Sequence, residues 1–206
     1  MKKLLLTQLF LLSLGMYSQN VLKINSYVKL SDSLTYETEV RIYQGGGTTN
    51  YSSLFRMFKD KSGKWTAEFY EHYAKVEKQT KLKIVKKTLK SENKLELIFQ
   101  NLIRSHILDL PSLNTIQWKL VTRGNVEKVV YKYRDKEVEE YEFSNQKISI
   151  LDGESFKVQI NSWNRVNEFE FSNPDGYLKH YPEIDELIYM CEILNLIRTE
   201  FDIWKK

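Results

Sequence analysis

The sequence contains few of the residues that cross-link, kink or loosen a chain. It has one cysteine, three prolines and eight glycines among 206 residues. Because Cys191 is the only cysteine, an internal disulfide is excluded, and a packed core must hold the fold together. Proline and glycine are scarce and no low-complexity linker interrupts the chain. These features predict a single compact domain over residues 19–206.

Motifs that mark common enzymes and metal proteins are also missing. The sequence has no Gly-x-Ser-x-Gly nucleophile motif and no Gly-Lys-Ser/Thr phosphate loop. Its three histidines, His72, His106 and His180, fall in separate predicted elements and lack the close spacing of metal ligands. The glycines at 45–47 precede a strand rather than a helix, which favours a hairpin loop over a phosphate site. We therefore predict no cofactor and no metal.

Residues 1–18 have the pattern of a secretory signal peptide. Two lysines precede an apolar stretch over 4–14, which ends shortly before Ser18. We predict cleavage near Ser18–Gln19 and an exported protein, periplasmic or extracellular. The alternative is an N-terminal core helix. No cysteine stands at the junction, so we do not expect a lipoprotein.

The net charge does not point to a nucleic-acid partner. The formal charge is +4, but without the two lysines of residues 1–18 only 29 basic residues face 27 acidic ones, which leaves +2. So small an excess does not indicate a polyanion, and we predict no nucleic acid among the partners. After removal of the signal we also expect no transmembrane segment, because the apolar C-terminal region carries too many charges.

The strongest helical pattern lies at the C-terminal end, over Pro182–Trp204. Pro182 suits the first helical position, and acidic residues follow it at the positive end of the helix dipole. Apolar residues recur at helical spacing and form a broad face: Ile184, Leu187, Ile188, Met190, Cys191, Ile193, Leu194, Leu196, Ile197 and Phe201. The polar seam that remains is Asp185, Glu192, Asn195, Thr199 and Asp202. A helix with so narrow a seam is expected to be the most buried helix of the fold.

A second principal helix is predicted over 93–108. Asn93 and Glu96 have the spacing of a capping box at its start, and Pro111 ends it. The four residues from Glu96 resemble the four from Glu186 in the C-terminal helix, which suggests a weak internal duplication.

Most of the remaining chain has the period-two alternation of strands. This predicts an α+β fold of mainly antiparallel sheet on which the two principal helices pack. The predicted strands cover 21–28, 34–43, 54–59, 64–74, 81–89, 115–121, 128–134, 137–143, 147–151, 156–163 and 166–171, and a short helix covers 174–181. Turns are predicted at 60–63, at Asp152-Gly153 and near Asn164-Arg165.

Charge is segregated within one of the predicted hairpins. The strand over 128–134 carries mostly cations, and the strand over 137–143 carries mostly anions. A turn at Asp135-Lys136 would place Lys132 across from Glu139, and such opposite-charge pairs favour that register. We therefore expect a solvated sheet face here rather than a pair of catalytic carboxylates.

The best local cluster for chemistry lies on one predicted strand. Glu68, Tyr70 and His72 share a face of that strand, and a carboxylate within reach of an imidazole can act in acid–base catalysis. The same pattern is typical of an exposed polar face, which we favour. His180 is the remaining catalytic candidate, and an enzyme would have Glu68, His72 or His180 lining one cleft with a perturbed carboxylate or imidazole.

Two further surfaces are candidates for binding. Tyr70, Tyr131 and Tyr133 are aromatic residues on predicted strand faces. Residues 75–90 hold seven lysines, among them Lys81 and Lys83, and one acid. This stretch suits a groove for an anionic polymer, although a lysine-protected edge strand is the simpler interpretation.

These observations predict an exported, non-enzymatic binding or interaction protein whose partner is an unknown protein or envelope polymer. One alternative is a small metal-independent exported hydrolase that uses the histidine and carboxylate candidates. The other is an accessory protein of an envelope complex that binds anionic polymer through the lysine-rich stretch.

Overall fold

The computed structural model describes residues 24–45, 50–74, 83–150 and 153–205. The predicted signal peptide with its cleavage site, most of the glycine loop, Lys81 and Asp152 lie outside the described residues.

Antiparallel strands form most of the fold, which confirms the α+β prediction. The strands are β1 Thr38–Gly45, β2 Tyr51–Lys59, β3 Trp65–Tyr73, β4 Lys83–Thr88, β5 Val126–Tyr133, β6 Lys136–Phe143, β7 Ser155–Ser162 and β8 Arg165–Ser172. Residues 24–28 are helical, the longer helices are α1 Leu95–Arg104, α2 Pro174–His180 and α3 Asp185–Phe201, and a 3-10 helix covers Leu113–Lys119. Six strands form one sheet in the order β4-β3-β2-β1-β7-β8, and β5 and β6 form a separate two-stranded sheet.

One face of the six-stranded sheet is apolar and carries the main core. Alternate residues of β1, β2, β3, β7 and β8 point to this face, as the period of two requires. They pack with the three helices and the 3-10 helix in one continuous cluster of buried side chains. After α3 the chain reverses at Asp202, and the Trp204 ring lies against Phe55, Phe69 and Phe156. Its indole N–H donates to Ser53 Oγ at 2.8 Å.

Helix α3 lies in this core, and its predicted polar seam is confirmed. Asp185, Glu192, Asn195, Thr199 and Asp202 are all exposed, whereas Leu187, Met190, Cys191, Ile193, Leu194, Ile197 and Phe201 are buried. The predicted start is wrong by three residues, because Pro182 lies in a turn and Ile184 is the N-cap. A proline at the first helical position is a preference that the preceding turn overrides here.

The predicted capping box of α1 does not form. The helix begins at Leu95 with Lys94 as its N-cap, and no side chain caps it. The Asn93 side chain instead donates to the Glu200 carboxylate of α3, at 2.9 Å and 3.1 Å. The Asn93 side chain, which the sequence pattern assigned to capping α1, thus binds α3 instead. In the six-stranded sheet, four strands come before α1 in the chain and two more lie between α1 and α3. The two helices therefore follow different numbers of strands, and the internal duplication stays a prediction.

Three of the predicted strands are wrong where the structure describes them. Residues 24–28 are helical, and 115–121 fall mostly in the 3-10 helix. Residues 147–150 are irregular, although Gln146 forms an isolated bridge with Thr122. Short apolar stretches do not distinguish strands from short helices by period alone, which explains these errors.

The hairpins β5–β6 and β7–β8 both turn one residue earlier than predicted. Their central residues are Arg134-Asp135 and Trp163-Asn164, all with positive φ. Two-residue turns with both φ values positive match the twist of the flanking strands and favour Asn or Asp. Asp135 and Asn164 each occupy the second central position of their turn, whereas the sequence pattern had placed each of them at the first. The hairpin between β2 and β3 turns at 60–63, as predicted.

The second face of the six-stranded sheet is polar and partly covered. We call residues 24–36 the covering segment, because Ile24, Val28 and Leu30 pack against Tyr43, Leu54 and Tyr70 on this face. Strand β1 was predicted to be half-buried, but all of residues 39–43 are buried. The covering segment removes from water a face that the alternation alone would leave exposed.

Candidate functional site

Four buried charges and one exposed lysine, Lys86, form a cluster on the polar face of the sheet. We define the charge cluster as Glu39, Arg41, Arg56, Glu68 and Lys86. Arg41 and Arg56 are direct cross-strand partners, and each donates from Nε to Glu39 Oε1 at 2.7 Å. Two like charges side by side in a sheet are unfavourable, and the shared carboxylate between them compensates.

The covering segment completes the hydrogen bonding of this cluster. Glu39 Oε2 accepts from the Thr35 N–H at 2.7 Å, from the Thr35 hydroxyl at 3.0 Å and from the Tyr36 N–H at 3.0 Å. Arg41 donates to the carbonyl oxygens of Ser31 and Ser33. Burial alone would raise the pKa of the Glu39 carboxyl, but the hydrogen bond from Arg56 and the charges of both arginines outweigh it and lower this pKa. Glu39 is therefore a structural anion.

Glu68, a catalytic candidate from the sequence, lies in the same cluster. It accepts from the Tyr70 hydroxyl at 2.6 Å and pairs with Lys86 at 2.7 Å and with Arg56 at 3.4 Å. Burial favours a higher pKa for Glu68, but the hydrogen bonds from Lys86 and Tyr70 outweigh it and lower the pKa. A carboxylate held ionised in this way is poorly suited to act as a general base near neutral pH.

His72 and Tyr70 are buried, so the preferred expectation of an exposed polar face is wrong. Tyr70 is 3% exposed and His72 is 6% exposed. The His72 ring stacks on Tyr27 of the covering segment, with centroids 4.6 Å apart, and its Nδ1 lies 3.1 Å from Ser52 Oγ. Its Nε2 is buried without a hydrogen-bond partner. Burial lowers the pKa of His72, so the ring is neutral in the folded protein at neutral pH.

These placements separate the candidate catalytic residues. His180 is exposed at the end of α2, whose Tyr177 packs in the core on the apolar side of the sheet. Glu68 and His72 share the polar face but bind different partners. Ser52 and His72 resemble two members of a hydrolytic triad, but His72 Nε2 has no partner in the described residues, so no carboxylate orients the ring. The hydrolase hypothesis therefore lacks an assembled site among its candidates.

The lysine-rich stretch ends in an edge strand. Strand β4 lies at one edge of the six-stranded sheet, where lysines protect against pairing with other chains. Lys86 pairs with Glu68, and Lys87 pairs with Glu71 at 2.7 Å. Lys83 is exposed at the start of β4, with its Nζ 5.8 Å from the centre of the Tyr73 ring. Much of the positive charge described here is therefore balanced within the sheet itself.

The two-stranded sheet, which we call the arm (residues 126–143), has a different environment. Every residue of β5 and β6 is exposed except Val129 and Val138, which are half-buried. At the base of the arm the Gly124 N–H donates to Asn145 Oδ1, and a Cβ at Gly124 would lie 2.0 Å from the Ser144 carbonyl oxygen. Glycine is therefore required where the arm leaves the body of the protein.

The two faces of the arm differ in character. Tyr131 and Tyr133 lie on one, the tyrosine face, together with Glu127, Val129, Lys136, Val138, Glu140 and Glu142. The opposite, phenylalanine face is formed by Val126, Lys128, Val130, Lys132, Glu137, Glu139, Tyr141 and Phe143. Lys132 pairs with Glu137 rather than with Glu139, because the turn comes one residue earlier than predicted. Sequence reasoning identified Tyr131 and Tyr133 but missed Tyr141 and Phe143, which are 73% and 72% exposed.

The described residues offer no metal centre and no membrane-spanning helix. Nowhere within them do three His, Cys, Asp or Glu side chains gather so that they could hold a metal ion. None of the helices in this part of the chain is both long enough and apolar enough to cross a bilayer. Comparison of the chain with protein-family models, curated proteins and solved structures finds no match.

Proposed function

We propose that this protein is an exported, non-enzymatic binding protein that contacts its partner through the tyrosine face of the arm. The observation that carries the proposal is the exposure of the arm, on which Tyr131 is 38% exposed and Tyr133 is 57% exposed. Tyrosine is enriched in protein interfaces because its ring buries a large area and its hydroxyl can still hydrogen-bond. Large exposed aromatic groups on a protruding hairpin are typical of a contact surface.

The charges on the tyrosine face favour a cationic partner. Glu127 and Glu142 are directly opposite each other across the ladder, and Glu140 lies two residues before Glu142. Like charges directly opposite are destabilising in a sheet, so a cation bound between Glu127 and Glu142 would relieve their repulsion. Tyr131 hydrogen-bonds Glu140, and this bond raises the pKa of the tyrosine. The partner that fits is a protein segment rich in lysine or arginine.

Export is the second part of the proposal, and it rests on the sequence of residues 1–18. A chain with one buried cysteine and no disulfide is compatible with an oxidising compartment, because its core alone stabilises it. The intact mass of the protein recovered from the envelope or medium tests this directly. A chain that begins at Gln19 supports export by a cleaved signal, and an exported chain that retains Met1 contradicts it.

Site-specific photo-crosslinking in the native host tests the binding surface. A photoreactive phenylalanine analogue replaces Tyr131 in one version of the full chain and Val166 in another, since Val166 is a 74% exposed residue of β8 away from the arm. We expect a crosslinked partner from position 131 and none from position 166. Equal crosslinking from both positions, or crosslinking from 166 alone, would overturn the assignment of the surface.

Charge substitutions refine the same experiment. With the crosslinker at 131, Glu127→Lys combined with Glu142→Lys is expected to abolish capture, because the cationic partner then meets positive charge. The matched control is Glu183→Lys, an exposed acid in the turn before α3. Loss of capture in the control as well would mean that net charge, rather than this face, governs binding.

A further inference from the structure

The phenylalanine face of the arm leaves a large apolar surface uncovered. Val126, Val130, Tyr141 and Phe143 are 60%, 52%, 73% and 72% exposed. A two-stranded hairpin is marginally stable in water by itself, and a third layer or strand normally supports it. An exposed apolar patch on such a hairpin marks an interaction surface.

Charges on the phenylalanine face are equal in number and separated by strand. Lys128 and Lys132 lie on β5, and Glu137 and Glu139 lie on β6. Apolar side chains concentrate near the base, where Val126 pairs with Phe143, and the tip of the face is charged, where Lys132 pairs with Glu137. A complementary surface must therefore place anions over β5, cations over β6 and apolar groups at the base.

We propose that the occupant of this face is the same face of a second copy of the chain. A two-fold axis parallel to the strands lays β5 of one copy over β6 of the other. Each β5 residue then meets the residue of the second copy that it pairs with in its own arm. Val126 meets Phe143, Lys132 meets Glu137, and Lys128 meets the ring of Tyr141, a cation–π contact. The fourth β5 residue, Val130, meets Glu139, whose charge is balanced within its own arm by Lys128 at 2.7 Å.

Other two-fold arrangements of the arms are less favourable. An axis perpendicular to the strands in the plane of the interface would place β5 over β5, with Val126 against Lys132 and Phe143 against Glu137 in the second copy. Edge-to-edge pairing of β6 with β6 would bring two strongly acidic strands side by side. Of the arrangements considered, the face-to-face packing with parallel arms is the one that sets Lys132 against Glu137 and Val126 against Phe143. It also leaves both tyrosine faces turned outwards.

Native mass spectrometry and sedimentation velocity of the full chain test the proposal. We expect the wild type to form dimers, and Lys132→Glu alone or Glu137→Lys alone to weaken dimerisation about tenfold or more, because each sets like charges across the two-fold axis. An equimolar mixture of the two variants, one of them labelled with ¹⁵N, is expected to form mixed dimers, because all-acidic tips then meet all-basic tips. A wild-type monomer at every concentration tested overturns the proposal.

Two further variants separate the interface from the integrity of the arm. The double exchange Lys132→Glu with Glu137→Lys keeps the pair within the arm, so we expect dimers of this variant with itself but not with the wild type. Lys136→Glu, on the tyrosine face, is expected to leave dimerisation unchanged. If the double exchange mixes freely with the wild type, the arms do not pack as proposed. Crosslinking from position 131 is independent of this result, because it reports on the opposite face.

Discussion

The polar face of the six-stranded sheet and the arm both carry acidic, basic and aromatic side chains on antiparallel strands. On the polar face the covering segment buries them, and Glu39, Arg41, Arg56 and Glu68 bind one another. On the arm no comparable layer exists among the described residues, and tyrosine and phenylalanine side chains stay exposed. The comparison teaches that charged residues on a strand indicate neither exposure nor function until the neighbouring layers are known.

The largest effect on stability is expected from a substitution in the charge cluster of the polar face. Glu39→Ala would leave Arg41 and Arg56 buried next to each other without their shared carboxylate. Removing one partner of a buried ion pair costs about 3–5 kcal/mol, so we expect the free energy of unfolding, measured by urea denaturation, to fall by about that amount. The matched control is Glu142→Ala on the arm, where we expect a change of about 0.5 kcal/mol or less. Similar losses in the two variants would mean that the charge cluster has no special structural role.

An intermediate effect concerns the pH dependence of the covered face. Because burial lowers the pKa of His72, the neutral ring is favoured in the folded protein, and protonation is easier in the unfolded chain. The resulting contribution to stability is present above the unfolded pKa of about 6.5 and is lost as the pH falls through the range between the two pKa values. We expect His72→Gln to flatten the decline in thermal stability below about pH 6.5.

Glu39 and Glu68 titrate at lower pH than His72, so their titration does not interfere with the test of His72. Their pKa values are lowered, so their contributions are fully present above the ordinary glutamate pKa of about 4.3 and are lost as the pH falls from there towards the lower folded values. His180→Gln is the matched control, since His180 is exposed at the end of α2, and it is expected to keep the wild-type pH profile. An unchanged profile in His72→Gln would show that the buried imidazole does not couple folding to pH.

The smallest effect on stability is expected on the arm. Phe143→Ser removes a 72% exposed ring, so we expect the free energy of unfolding to change by no more than about 0.5 kcal/mol. The same substitution is expected to abolish dimerisation, measured by sedimentation velocity. Leu54→Ala, which truncates a fully buried residue under the covering segment, provides the contrast at about 2–5 kcal/mol. A large loss of stability in Phe143→Ser would show that the ring belongs to the folded body.

The predictions from sequence were correct where the periodicity within one helix or strand is sufficient to show which of its residues are buried. The polar seam of α3 was predicted residue by residue, because a helix with a broad apolar face has few positions left for water. The strands of the main sheet were also located, although β1 starts four residues later than predicted. Of the three tyrosines proposed as exposed contact residues, Tyr131 and Tyr133 are exposed, but Tyr70 is buried.

The candidate site was harder to predict because its environment comes from distant residues. Glu68, Tyr70 and His72 alternate as an exposed face would, but residues about forty positions earlier in the chain cover them. The sequence does not indicate that Arg56 is buried, since one charge within the apolar strand β2 is equally consistent with an exposed edge. Tyr141 and Phe143 were missed because hydrophobic residues in a strand usually point to a core.

The sequence by itself determined the α+β class, the apolar face of α3, the hairpin pairs and the absence of an internal disulfide. Each depends on local periodicity or on residue counts, which a single chain displays directly. Only the tertiary structure decided that the covering segment buries the polar face of the sheet and that the arm stands apart from the body. These are contacts between segments far apart in sequence, and the free energy of burial that sets them depends on which surfaces meet.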